Sequence, residues 1–317
     1  MLLRAICPRL GAGRAALHHA TEEGIAYDLY EPAAAARRTF VLLYGLSLAG
    51  EQDARLVRLA RAYLGSGFRV AVPSLAGLKT FRFDRGDKRA ITDLVAHLHR
   101  RHGGRIGITG FSAGAGMALA AAADPAVADL IDPLMLFGPY YSLADLWTAW
   151  QACDVPASNR GKDWDCFIWT RMVSAFRHRD SLGLAPDEER ELVDLLRDYC
   201  TGTPLRRKRE FYERVLRGRN VHLRNDAPPD ERTLQELSPR GRMNHLSSRV
   251  LILHDSTDRL IPPDHSQRIV EELCRRRGPD AQKLLITPLM SHVSPASVWR
   301  ILDALRIVRL VGEIFVG

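Results

Sequence analysis

The stretch Arg105-Ile-Gly-Ile-Thr-Gly-Phe-Ser-Ala-Gly-Ala-Gly-Met-Ala-Leu-Ala-Ala-Ala122 holds the decision about fold. Its first residues, Ile106 to Thr109, have the β-branched character of a buried strand, and an alanine-rich tract of helical composition follows Ser112. Between them stands Gly110-Phe111-Ser112-Ala113-Gly114, a G-x-S-x-G pattern at a strand-to-helix junction. A serine there sits on a sharp, strained turn that lifts its hydroxyl above the sheet. Such a turn crowds the backbone against the neighbouring strand and helix, so small residues are needed two places before and two after. The helix start also aims its dipole and free N–H groups at developing negative charge.

Outward from this point the chain alternates strands and helices. Segments 24–32 and 39–45 read as strands, the first exposed and the second a continuous apolar run typical of a parallel sheet. Leu56, Leu59, Ala60 and Tyr63 mark a helix, as do Ile91, Leu94, Val95 and Leu98. Further strands are expected at 68–74, 105–110, 132–139, 248–256 and 281–288, with helices at 263–278 and 295–315. Strands separated by helices imply βαβ units and a mostly parallel sheet. The rhythm stops between 143 and 246, where the sequence is helical in pattern and carries Trp147, Trp150, Trp164 and Trp169. The expected organisation is a flexible lead-in over 1–20, an α/β core over 21–142 and 247–317, and a helical cap over 143–246.

Composition narrows the function classes. The 317 residues are 46% hydrophobic and 26% charged, which suits a globular domain with a sizeable core. The net charge of +8 comes from arginine spread along the chain and opposed by 37 acids, which argues against nucleic acid as a partner. The basic run 206–219 reads as a solvated helix face, with an anionic ligand as the alternative. Five cysteines, odd in number, widely spaced and without a CxxC pair, argue against a disulfide framework or a zinc site. They point instead to a reducing, cytoplasmic compartment. No cofactor or metal is expected. No apolar run approaches the roughly 20 residues that span a bilayer. The arginine-bearing, acid-poor N-terminus is similar to a transit peptide, but Pro8, Gly11 and Gly13 interrupt the required helix.

A serine hydroxyl needs a histidine base, and that base an acid to hold its tautomer. His292 follows the last expected strand, so its loop emerges at the carboxyl ends of the strands, on the side of Ser112. The segment Val250-Leu-Ile-Leu-His-Asp-Ser-Thr-Asp-Arg-Leu-Ile-Pro262 supplies two acids, Asp255 near the strand end and Asp258 further into the loop.

With these residues assembled, the chain resembles an α/β-hydrolase. The likeness covers the serine turn, the strand and loop through Pro262, the His292 loop, and the segments 39–50 and 67–77. It does not extend to the insertion. In the family the acid is followed two residues later by an aliphatic residue and proline. Leu260, Ile261 and Pro262 meet that pattern from Asp258, which makes Asp258 the acid of choice. The resemblance implies a Ser112, Asp258, His292 triad and an acyl-enzyme intermediate. It also implies an oxyanion hole of the Leu46 and Ala113 backbone N–H groups. Two departures stand out: Tyr44-Gly45 replaces the common His-Gly, and Ser74 the common Asp.

The substrate expected is a small ester or acyl compound with an apolar part, contacted by Tyr44, Phe111, Trp147 and Trp150. Thioesterase, acyltransferase and C–C bond hydrolase chemistry use the same triad and are the alternatives. A binding protein with a vestigial site is the reading outside enzymes.

Overall fold

A computed structural model describes residues 16–22, 24–153, 161–197, 204–288, 290–291 and 294–295. An eight-stranded sheet forms the centre: β1 (Ala16–Glu22), β2 (Ile25–Glu31), β3 (Thr39–Leu43), β4 (Arg69–Pro73), β5 (Ile106–Phe111), β6 (Ile131–Phe137), β7 (Val250–Asp255) and β8 (Gln282–Thr287). The spatial order is β1-β2-β4-β3-β5-β6-β7-β8. The hairpin β1–β2 and the pair β2–β4 are antiparallel, and every pair from β4 to β8 is parallel.

The helices of the core are α1 (Ala54–Gly65), α2 (Arg85–His102), α3 (Ala113–Ala122) and, late in the chain, α9 (Asp264–Arg277). Each has the cause its sequence announces. Asp53 caps α1 by accepting the Arg55 N–H, and Asp84 caps α2 through Gly86 N–H. Ile91, Leu94, Val95 and Leu98, spaced at helical period, are all fully buried. So are Phe40, Val41, Leu42 and Leu43, as a strand covered on both faces requires. Every residue of α3 is buried, and its small side chains let it lie close on β5 and β6.

Two details differ from the sequence reading. The lead-in expected over 1–20 is cut short by β1, which begins at Ala16. Its side chains are mostly exposed, so no hydrophobic pattern announces it, and its backbone is satisfied by pairing with β2. β2, expected to be exposed, buries Ile25, Tyr27, Leu29 and Tyr30, because β1 makes it an interior strand with α1 and α2 against it.

Between Leu143 and His245 the described residues contain helices and no strand. These are α4 (Leu143–Gln151), α5 (Gly161–Arg177), α6 (Pro186–Arg197), α7 (Leu205–Phe211) and α8 (Glu231–Leu237), with shorter turns between them. Leu192, Leu195 and Leu196 form the buried stripe of α6. The helical segment is tied to the core at its root. Tyr140 donates its hydroxyl proton to the Leu237 carbonyl (3.0 Å), and Leu143 N–H donates to Ser238 Oγ (2.9 Å). From α9, His265 Nδ1 accepts the Tyr141 N–H at 3.1 Å, and Glu272 accepts from the Tyr141 hydroxyl at 2.8 Å. The helix expected over 295–315 lies outside the described residues. Among the described residues no helix is long and apolar enough to cross a membrane.

Candidate active site

The strand order reverses direction once. β4 lies on one side of β3 and β5 on the other. Connections leaving β3 and β5 therefore diverge, and a crevice opens beyond their carboxyl ends. Two of the expected site segments leave the sheet at that crevice. Leu43 pairs with Gly110, so Tyr44, Gly45 and Leu46 continue from β3 beside Phe111 and Ser112 from β5.

Ser112 joins β5 to α3 with φ 54° and ψ −127°, and is one of two positive-φ residues other than glycine among those described. An L-residue adopts that backbone only where its surroundings enforce it. Here the Ser112 N–H donates to Phe137 O at 2.7 Å, and the Ser112 carbonyl accepts the Ala115 N–H at 2.9 Å. The side chain takes no part in capping α3. The two flanking glycines answer to close approach. A β-carbon on Gly110 would lie 2.7 Å from Ala115 Cα, and one on Gly114 2.0 Å from the Tyr44 carbonyl oxygen. Gly45 faces the serine itself, since a β-carbon there would meet Ser112 Cβ at 2.9 Å and Oγ at 3.3 Å.

This strand–serine–helix turn at the switch point of a mostly parallel sheet decides the fold family. The chain has the α/β-hydrolase fold. No family model matches it, and no curated protein does. Solved structures of this fold do. An esterase from Pyrococcus furiosus is 12% identical with a TM-score of 0.55, over 96% of this chain and 92% of that one. A serine hydrolase from Cycloclasticus zankles is 14% identical with a TM-score of 0.52, over 96% and 98%. An acylaminoacyl peptidase from Pyrococcus horikoshii is 12% identical with a TM-score of 0.56, over 98% of this chain and 42% of its own.

Within this α/β-hydrolase fold the remaining expected residues fall as follows. Ala113 is the first residue of α3, so its N–H has no acceptor inside the helix. Leu46 is half-buried in the turn after β3, and the Ser47 N–H next to it donates to Leu78 O at 3.1 Å. The Tyr44 ring is buried, and its hydroxyl oxygen accepts the Leu75 N–H at 2.6 Å. This ties the loop after β3 to the loop after β4, and burial pushes the phenol well above its ordinary pKa. Phe111 is half-buried and stacks on Phe137 with ring centroids 4.8 Å apart.

The acid loop leaves β7, two strands from β5 and from the same edge of the sheet, across about 10 Å of hydrogen-bonded strands. Asp255 is fully buried and caps its own turn, accepting the Thr257 N–H at 2.9 Å and the Thr257 hydroxyl at 3.0 Å. Asp258 lies beyond that turn, 4% exposed. Its Oδ1 accepts the N–H groups of Leu260 (2.8 Å) and Ile261 (3.1 Å). Its Oδ2 lies 3.6 Å from His254 Nε2. His292 lies outside the described residues. On either side of it, Met290–Ser291 pairs antiparallel with Ser294–Pro295, and Met290–Ser291 runs beside β7.

The sequence reading overlooked His254. It is fully buried, and Nε2 donates to the Ile261 carbonyl at 2.8 Å. Nδ1 shares a hydrogen bond of 2.6 Å with the Ser266 hydroxyl. His254 thus fastens the acid loop to α9. From the helical segment, Trp150 Nε1 donates to Leu260 O at 2.7 Å, and Cys166 Sγ donates to Arg259 O at 3.2 Å. A histidine inside a β-branched and leucine-rich strand is the signal that marks such a residue. Trp150 packs between Phe83 and Trp169, and Trp147 lies beside it with Arg177 over its ring. Both tryptophans are buried.

Five of the seven basic residues in the run 206–219 pair with acids. Arg206 pairs with Glu210, Lys208 with Asp165, Arg214 with Glu191, Arg217 with Glu213 and Arg219 with Glu188.

Proposed function

We propose that the protein is a serine hydrolase that cleaves a carboxylic ester, or a closely similar acyl bond, through an acyl-enzyme on Ser112. The observation that carries this reading is the backbone of Ser112. A strained φ of 54° is held at the switch point of the sheet, beside a glycine that keeps space above the hydroxyl. Strain of this kind costs on the order of 1–3 kcal/mol and persists where the surroundings over-determine it, commonly at reactive sites. The esterase and hydrolase names of the structural neighbours agree with it.

In this reading His292 removes the Ser112 proton as Oγ attacks the carbonyl carbon. Asp258 orients the imidazole and stabilises the imidazolium. Asp255 is the rival: each acid has its Oδ1 engaged by two donors of its own loop, from Thr257 for Asp255 and from Leu260 and Ile261 for Asp258. The Leu260-Ile261-Pro262 pattern that follows Asp258, shared with the family, favours Asp258. The N–H groups of Leu46 and Ala113 would hold the tetrahedral oxyanion, and His292 would return its proton to the departing alcohol oxygen. Water, activated by the same histidine, then releases the acid. The segment 143–246 would serve as the cap. Phe111 is assigned the contact with the acyl group, with Tyr44, Trp147 and Trp150 in support.

A fluorophosphonate probe tests the proposal. Covalent labelling at Ser112 of the folded protein is the expected result. A folded protein that resists the probe and leaves p-nitrophenyl esters of varied chain length intact would overturn it.

A further inference from the structure

The five cysteines look scattered along the sequence, yet the fold brings two of them together. Cys153, just after α4, donates its thiol hydrogen to Cys166 Sγ in α5 across 3.6 Å. Neither is in a disulfide. Cys153 is half-buried and reachable from solvent, whereas Cys166 is 5% exposed. The Arg171 guanidinium donates to the Cys153 carbonyl at 2.9 Å, which places a cation beside this cysteine. A disulfide has its sulfurs about 2.05 Å apart, so the pair must close by roughly 1.5 Å.

Cys166 has a second contact, and it gives the pair a consequence. Its Sγ donates to the carbonyl of Arg259, the residue that follows Asp258. The three atoms form a chain from Cys153 Sγ through Cys166 Sγ to Arg259 O. A sulfur in a disulfide has no hydrogen to donate.

We propose that Cys153 and Cys166 are a thiol pair that low-molecular-weight disulfides convert to an intramolecular disulfide, and that this releases the Asp258 loop and lowers turnover. The exchange balances in two steps. The Cys153 thiolate attacks one sulfur of the reagent, forming a mixed disulfide and expelling one reagent thiolate. The Cys166 thiolate then attacks Cys153 Sγ and expels the second. Two protein thiols lose two electrons, one reagent disulfide gains them, and the two thiol protons pass to the two leaving thiolates. The effect on turnover rests on the assignment of Asp258 as the triad acid; formation of the disulfide does not.

The test treats the full-length protein with oxidised glutathione and maps it without reduction. A peptide pair joined through Cys153 and Cys166, two hydrogens lighter than the dithiol, is expected. Retention of glutathione on Cys153, or linkage of Cys153 to any other cysteine, overturns the proposal. Amide exchange then reads the loop without any substrate. The N–H groups of Leu260 and Ile261, which donate to Asp258 Oδ1, should exchange faster in the disulfide form, and unchanged exchange overturns the link to the acid loop. With an ester substrate, kcat should fall about 2- to 10-fold, the effect of one lost hydrogen bond, with KM steady and full recovery on reduction. Cys153→Ser should keep the reduced-form kcat under the same oxidant. If no ester is hydrolysed by either form, the functional reading fails while the mapping and exchange results still decide the thiol pair.

Discussion

Gly114 lies so close beneath Tyr44 that a β-carbon on it would sit 2.0 Å from the Tyr44 carbonyl oxygen, with Leu43 O at 3.1 Å. Backbone is the obstacle on both counts, so no side-chain rotation relieves it. Gly114→Ala must therefore part α3 from the loop that carries Leu46. Overpacking of this kind costs about 1–3 kcal/mol and occasionally more. A denaturant midpoint within error of the wild type would contradict the packing described.

Replacement of the serine separates strain from chemistry. Ser112→Ala keeps a β-carbon at φ 54° and loses no capping bond, so its melting temperature should stay close to that of the parent. Ester hydrolysis should fall by about 10⁶-fold, as when a nucleophile is removed. Ser112→Gly relieves the unfavourable backbone and should gain about 1 kcal/mol of stability while being equally inactive. Thermal melts of the two variants, side by side with the parent, check both halves.

The two acids should divide their effects. Asp258→Asn should lower kcat by about 10⁴-fold with a nearly unchanged melting temperature. Asp255→Ala removes the acceptor of two hydrogen bonds from Thr257 and should destabilise by about 1–3 kcal/mol, with kcat within tenfold of the parent. Equal activity losses, or the reverse division, would reassign the acid.

Tyr44→Phe deletes the oxygen that accepts the buried Leu75 N–H. An orphaned buried donor costs about 1–3 kcal/mol. Because Leu46 follows Tyr44 by two residues, a several-fold drop in kcat should accompany the lower melting temperature. Urea unfolding paired with steady-state kinetics measures both.

Acid should loosen the root of the helical segment. His265 Nδ1 accepts the Tyr141 N–H, and burial lowers the His265 pKa from its usual value near 6.5. A depressed folded-state pKa means the unfolded chain binds the proton first as pH falls. The contribution is thus fully present above the unfolded value and is lost as pH drops through the folded one. His102, lowered by burial and then by Arg69, acts in the same direction. Melting temperature should decline from pH 7 to pH 5, and His265→Gln should show a shallower decline.

The legible parts of the molecule were those with a local cause. The apolar run at 40–43, the helical stripe from Ile91 to Leu98 and the G-x-S-x-G turn each follow from neighbours in sequence, and each is found. β1 escaped because its exposed side chains carry no pattern, and only its partner β2 makes it a strand. His254 escaped because a histidine in an apolar strand has no meaning until Ile261 and Ser266 fold against it.

The sequence by itself determined that Ser112 would stand on a strained turn between a strand and a helix. Gly110 and Gly114 exist there because Ala115 and Tyr44 leave no room for a side chain. What the tertiary structure alone decided is which distant segments meet around that turn. The reversal of strand order sets the loops after β3 and β5 side by side, and the parallel register brings the β7 loop out at the same edge. The contact of Cys153 with Cys166, and of Cys166 with the Asp258 loop, belongs to the same class. Contacts between segments far apart in the chain depend on how whole elements pack, and no local pattern of residues encodes that.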